Sequence, residues 1–319
     1  MRISGIGIRA VGSSTPRRGS QPRPTLSAPV GTTLASSEAA MRDALDRAAM
    51  TAVDLTGSHL FVGAAWSDSE GEPAALFGRR ALNHVGVDRA HAHAPAPGAA
   101  DALPLLGALA RALREDRTAH HGLLLVPEPW YPPMADRGRP RLAGTAAAVL
   151  AERDWPHNRL KSIVTHAPGP FTPARARIPK PRRPAPEAPP PQFFATALME
   201  RPSWLMSHPG HHRDTEDRPP ASVCALVCKA LRAARTPWET IDHVVLHTSD
   251  HDMNRRFRRH FHLRRDQITD LGAASHHLGS AGLVIGLKDV LERAPESGTR
   301  VLLASFGIDG NRSAGVLEV

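Results

Sequence analysis

"SVCALVCKALRAARTPWETIDHVVLHTSD", Ser222 to Asp250, opens with apolar residues three and four apart, makes a short connection, and closes on Val244, Val245 and Leu246. That is the pattern of a helix followed by a buried strand. The strand ends on His247, and Asp250, His251 and Asp252 follow at once. A paired strand end holds a side chain more firmly than a loop does, so this is a favourable place to mount a base. A strand running into a polar helix cap accounts for the same residues without any chemistry.

The same order occurs earlier in the chain. "SEAAMRDALDRAAMTAVDLTGSHLFVGAAWSD" (Ser37 to Asp68) is a helix with Met41, Leu45 and Ala48 on one face, a connection and a strand. "DALPLLGALARALREDRTAHHGLLLVPEP" (Asp101 to Pro129) matches "AGLVIGLKDVLERAPESGTRVLLASFG" (Ala281 to Gly307), each an apolar helix, a charged turn, a loop and a buried strand. "LAGTAAAVLAE" (Leu142 to Glu152) then corresponds to "NRSAGVLEV" (Asn311 to Val319). Self-similarity of this kind predicts a duplicated unit, and helices alternating with continuous apolar strands predict α/β layers around buried mixed sheets. The expected division is an N-terminal half at 1–166, a connector at 167–194 and a C-terminal half at 195–319.

The connector, "APGPFTPARARIPKPRRPAPEAPPPQFF" (Ala167 to Phe194), is too rich in proline for helix or central strand. It reads as an extended excursion, with a polyproline II ligand as the alternative. "SHPGHHRDTEDRPP" (Ser207 to Pro220) brings His208, His211 and His212 together without regular ligand spacing, so it reads as a solvated loop and no metal is expected.

Composition sets the outer bounds. At 319 residues, 41% hydrophobic and 22% charged, the chain has ordinary globular make-up and ample length for a large core. Aromatic residues are only 4%, so alanine-rich helices and small-residue packing must build much of that core. No run approaches the roughly 20 apolar residues of a membrane span, and "MRISGIGIRAVG" lacks the make-up of a signal peptide, so a cytoplasmic protein is expected. The two cysteines, Cys224 and Cys228, share a helix face with Leu231 and read as small core residues. The charge of +9 is almost all arginine, since the lysines are Lys161, Lys180, Lys229 and Lys288. It suits an acidic partner or a phosphate-bearing substrate better than nucleic acid, for which no accompanying motif is present.

With its strand-end histidine and duplicated plan, the chain resembles the β-ketoacyl-ACP synthase III family of the thiolase fold and its related acyltransferases. The C-terminal third carries the likeness best. "DHVVLHTSDHDMNRRFRRHFHL" is similar to the family's His-Gln-Ala-Asn segment, "HHLGSAGLVIGLKDVLE" to its Gly-Asn-Thr-Ser-Ala-Ala helix start, and "GTRVLLASFGIDGNRSAGVLEV" to its closing strands with their glycine turn. The resemblance implies a five-layered αβαβα fold and a homodimer or heterodimer. It also implies acyl donors in the form of a coenzyme A thioester or a phosphopantetheinyl acyl carrier protein, with no resident cofactor and no membrane or nucleic-acid partner.

In that family a cysteine at the start of the first half's buried helix is acylated, while a histidine and an asparagine from the second half hold the thioester oxygen. Matching Gly98, Ala102 and Leu103 to the Cys-Ser-Gly-x-x-x-Ala-Leu pattern puts Ala96 at the nucleophile's position, and no cysteine or serine lies in "HAPAPGAADAL". The asparagine's position falls on Leu278 or, shifted by one, on His277, and Asp250 replaces the asparagine of the histidine segment. Only His247 is retained of the usual three. Gly307 or Ile308, in "GIDGNRSAG", then stands where a backbone N–H meets an oxyanion, or simply forms a hairpin turn.

Two functions follow as expectations. One is an acyltransferase of specialised metabolism that dropped the covalent step, with His247 as general base, Asp250 or Asp252 orienting it, and His277 or His276 donating to the thioester oxygen. The other is an inactive partner subunit of a heterodimeric ketosynthase. The sequence around "NRRFRRHFHLRR" (Asn254 to Arg265) predicts a basic amphipathic helix, with Met253, Phe257 and Phe261 inward and Arg255, Arg256, Arg258 and Arg259 outward. It reads as a docking face for a carrier protein or for coenzyme A phosphates, or as a plain solvated face. "GIGIRAVG" (Gly5 to Gly12) reads as the first strand, with the next helix expected from about Ser36.

Overall fold

The computed structural model describes residues 2–14, 30–63, 74–87, 89–93, 102–128, 145–166, 221–248, 251–269, 281–293, 295–306 and 312–319. Its elements are β1 (Ile6–Ser14), α1 (Val30–Arg47), β2 (His59–Val62), α2 (Ala74–Val85), β3 (His91–His93), α3 (Ala102–Glu115), β4 (His121–Glu128), β5 (Thr145–Arg153) and β6 (Arg159–His166). They continue as α4 (Ala221–Ala234), β7 (His243–Thr248), α5 (His251–His260), β8 (Ile268–Thr269), α6 (Ala281–Glu292), β9 (Arg300–Phe306) and β10 (Arg312–Glu318). The Pro-rich connector and the histidine loop at 207–220 lie outside the described residues.

The strands run in the order β3-β2-β4-β5-β1-β6-β10-β9-β7-β8. Numbered within each set of five, the order read inward from either edge is 3-2-4-5-1. Strand sense repeats as well. β2 is parallel to β3 and β4, as β7 is to β8 and β9, whereas β5 is antiparallel to β4 and β1, as β10 is to β9 and β6. The duplication read from sequence is therefore a duplication of topology. The second copy opens with β6, inside the span expected for the N-terminal half, because β6 pairs along its length with β10 and meets β1 in register only at Gly7 and Arg159. A Cβ at Gly7 would strike the carbonyls of Trp155 and His157, so this seam requires glycine.

Alternation along the strands divides the interior into three cores. Leu123 and Leu125 of β4 and Ala146, Ala148 and Leu150 of β5 pack outward against α1 and α2. Leu124, Val126 and Val149, on the opposite face, join Val245, Leu303 and Leu317 of the second copy around α3 and α6. Val244, Leu246, Leu302 and Ala304 face α4 and α5. The result is five layers, with α3 and α6 in the middle one. Burial of each large side chain there contributes about 2 kcal/mol, so strands covered on both faces supply much of the stability.

Two local expectations change. The helix expected from about Ser36 begins at Val30, and Leu34 in its added turns is buried in the first outer core. The two cysteines do not form part of the core stripe of α4. Val223, Leu226, Val227, Ala230 and Ala234 follow the helical repeat and take the buried face, leaving Cys224 half-buried and Cys228 exposed. Burial, and then the neighbouring Cys228, push the Cys224 thiol upward. Among the described residues, no helix is long and apolar enough to cross a membrane.

Candidate active site

β7 holds His247 by a six-residue parallel ladder with β9, in which His247 lies opposite Ser305. Val244 and Leu246 face the outer core, so Val245 and His247 face the middle layer. His247 is half-buried at the carboxyl end of its strand. Its Nδ1 lies 3.3 Å from the hydroxyl of Ser305, which is fully buried. In open α/β sheets, ligands gather outside the carboxyl ends of parallel strands, and His247 occupies such a place.

The other candidate residues lie just before the two middle-layer helices in sequence. α3 begins at Ala102 and α6 at Ala281, both buried. The expected position of the nucleophile, Ala96, precedes α3, and His277 and Leu278 precede α6. These three residues, His276, Asp250, Gly307 and Ile308 all lie outside the described residues, while Asp252 belongs to α5. Of the candidate site residues the structure thus fixes His247, and it adds Ser305. The sequence signal for Ser305 is a hydroxyl at an inward position of the "RVLLASF" strand; that it stands directly opposite His247 is fixed by the ladder.

Both central helices are secured at their far ends. Arg153, closing β5, donates to the carbonyls of Asp116, Arg117 and Ala119 in the turn just past α3. Lys288 of α6 lies 3.0 Å from Asp43 of α1 and donates to the Ser13 hydroxyl at 3.1 Å, while Arg47 bridges Asp43 and Glu292. Burial alone would raise the Asp43 carboxyl, but the Ser13 N–H, Lys288 and Arg47 together bring it below its usual value.

α5 continues from β7 as the basic amphipathic helix that the sequence predicts. Phe257 is fully buried, and Phe261 packs against both Phe257 and Trp238 with ring centroids 4.5 Å apart in each pair. Arg255, Arg259, Arg264 and Arg265 are exposed, and Arg256 and Arg258 are half-buried. Arg258, Arg259 and His260 fall in the last turn, where positive charge complements the helix dipole.

A second histidine group lies in the first copy. His59 Nδ1 is 2.9 Å from His93 Nε2, and His59 Nε2 is 3.0 Å from the Asp116 carboxylate. Thr118 holds Asp116 by hydroxyl and backbone N–H, which together with His59 bring that carboxyl down to about 2. Among the described residues, no group of three or more side chains is arranged to hold a metal ion.

No family model and no curated protein matches the chain. Solved structures do, over nearly its full length. ChlB3, an acyltransferase, is similar with a TM-score of 0.67, covering 99% of this chain and 98% of its own at 19% identity. AbyA1, a tetronic acid condensing enzyme, gives 0.65 over 98% and 100% at 18% identity. The β-ketoacyl-[acyl carrier protein] synthase III of Thermus thermophilus gives 0.67 over 98% and 99% at 16% identity. At such identities the likeness carries architecture, and the architecture of this chain is the thiolase-like fold of the ketosynthase III enzymes.

Proposed function

We propose that the protein is a ketosynthase III-like acyltransferase that moves an acyl group from a coenzyme A or acyl carrier protein thioester directly to a small-molecule acceptor. The observation that carries this reading is His247, a strand-end imidazole turned to the middle layer in a chain whose only cysteines, Cys224 and Cys228, both lie on α4 against the far face of that sheet. An acyltransferase and a condensing enzyme among the structures of like fold support it by analogy of fold.

In the proposed reaction His247 takes the proton of the acceptor's hydroxyl or amine as that group attacks the thioester carbonyl. The thiol then leaves with a proton, so no acyl-enzyme is formed. Holding two reactants in line supplies several kcal/mol of barrier reduction without covalent catalysis. Asp250 is the proposed carboxylate that steadies the imidazolium charge, His277 and the backbone at Gly307 or Ile308 the proposed oxyanion groups, and Ala96 and Leu278 the proposed walls of the pocket. The arginine face of α5, which leaves the same strand end, is the proposed docking surface for an acidic carrier protein. Specialised rather than core fatty-acid metabolism is the setting that suits a site without the usual nucleophile.

The location of both cysteines on α4 equally favours a second reading, an inactive partner that completes a heterodimeric ketosynthase. Intact-protein mass spectrometry with product analysis, over a panel of acyl thioesters and acceptors, separates the two. Product from the chain alone with no acylated protein supports direct transfer. Silence alone, relieved by a cysteine-bearing ketosynthase, supports the partner reading.

A further inference from the structure

The two copies can be compared residue by residue, because β2 and β4 pair in the same register as β7 and β9. His59 lies opposite Gly122 as His243 lies opposite Val301. One step past Val62 and Leu125, where the first ladder ends and the Gly63 N–H still bonds the Leu125 carbonyl, Gly63 and Val126 stand where His247 and Ser305 stand in the second. One strand further, Val126 faces Ala147 and Ser305 faces Ser313. The fold therefore builds one inward row twice, as glycine, valine and alanine on one side and as histidine, serine and serine on the other. All three residues of the first row are buried, as are both serines. Nothing in the topology demands a hydroxyl there, since the first copy does without one.

We infer that Ser305 is the positioning residue of His247, accepting a hydrogen bond from its Nδ1–H and so leaving the lone pair on Nε2. The inference rests on the general-base reading above. A base that works through Nε2 must keep its proton on Nδ1, and that tautomer needs an acceptor at Nδ1. The Ser305 hydroxyl meets Nδ1 at 3.3 Å. A hydroxyl accepts as readily as it donates, and its place opposite His247 on a paired strand fixes where it stands.

The test is nitrogen NMR of the full chain labelled at histidine, with the His247 signals assigned by their loss in His247→Gln. In the native chain Nδ1 is expected to carry the proton and Nε2 to be bare at pH values where the ring is neutral. Ser305→Ala, and the nearly isosteric Ser305→Cys, are expected to give a tautomer mixture, whereas Ser313→Ala, equally buried one strand away, leaves the signals unchanged. A proton on Nε2 in the native chain, or identical His247 signals in the native chain and both Ser305 variants, overturns the inference. This readout needs no acyl substrate, so it stands or falls apart from the acyl-transfer reading. Where product is measured, Ser305→Ala lowers kcat roughly tenfold with KM little changed, a smaller loss than removal of a whole general base.

Discussion

His59 and His247 occupy opposite ends of pseudo-equivalent strands. His59 opens β2 and is held at both ring nitrogens, by Asp116 and by His93, while His247 stands one residue from the end of β7 and meets the Ser305 hydroxyl. The first arrangement ties the edge strand β3 to the turn that follows α3. The second leaves an imidazole at the carboxyl end of a parallel strand, where ligands bind in layered α/β folds. On the proposed reading, the strand end a histidine occupies, rather than residue type, separates a structural histidine from a chemical one.

Replacing each histidine by alanine sharpens that contrast. His247→Ala is expected to lower product formation by about 10²–10⁴, the usual weight of a general base, while thermal and denaturant unfolding stay within about 1 kcal/mol of the native chain. His59→Ala is expected to do the reverse. It removes the shared partner of His93 and Asp116 and costs about 2 kcal/mol of stability, with turnover per folded molecule retained. Equal effects of the two substitutions on stability would break the distinction.

A smaller effect is expected at the bridge between α1 and α6. Lys288→Met removes the cation shared by Asp43 and Glu292 and costs about 1 kcal/mol or less in denaturant titration, with less difference at high salt. The pH dependence is smaller still. Burial, and then His59 and His91, hold the His93 pKa below the usual 6.5, so below that pH the unfolded chain binds more protons than the folded one. The His93 contribution is therefore lost as pH falls from about 6.5 through the lowered folded value. A proton on both His59 and His93 would also set two N–H donors face to face. Amide exchange is expected to quicken at β3 over that range before it quickens at β7.

The layered fold was legible because it rests on repetition and period. Alternating inward and outward residues of "GLLLVP" and "RVLLAS" give strands buried on both faces, and the repeated helix and strand order gives two copies. The point where the copies divide was not legible, because β6 follows β5 by a tight turn and looks like its hairpin partner, although its long ladder is with β10. The cysteines of α4 were misread as core for a related reason. Leu231 is shared between two possible faces, and the stripe through Val223, Val227, Ala230 and Ala234 takes the buried side. At the candidate site, the placement of His247 near a strand end was legible from the apolar run before it. The role proposed for Ser305 depends on register between strands more than fifty residues apart, which no local pattern carries.

The central claim is acyl transfer without an acyl-cysteine, and the chain's own composition allows it to be tested with a single variant. Cys224→Ser combined with Cys228→Ser removes every thiol of the protein. Product formation from an acyl thioester and acceptor is measured for this variant beside the native chain. Equal rates from the two are the expected result. Product from the native chain alone, or from neither, would contradict the account.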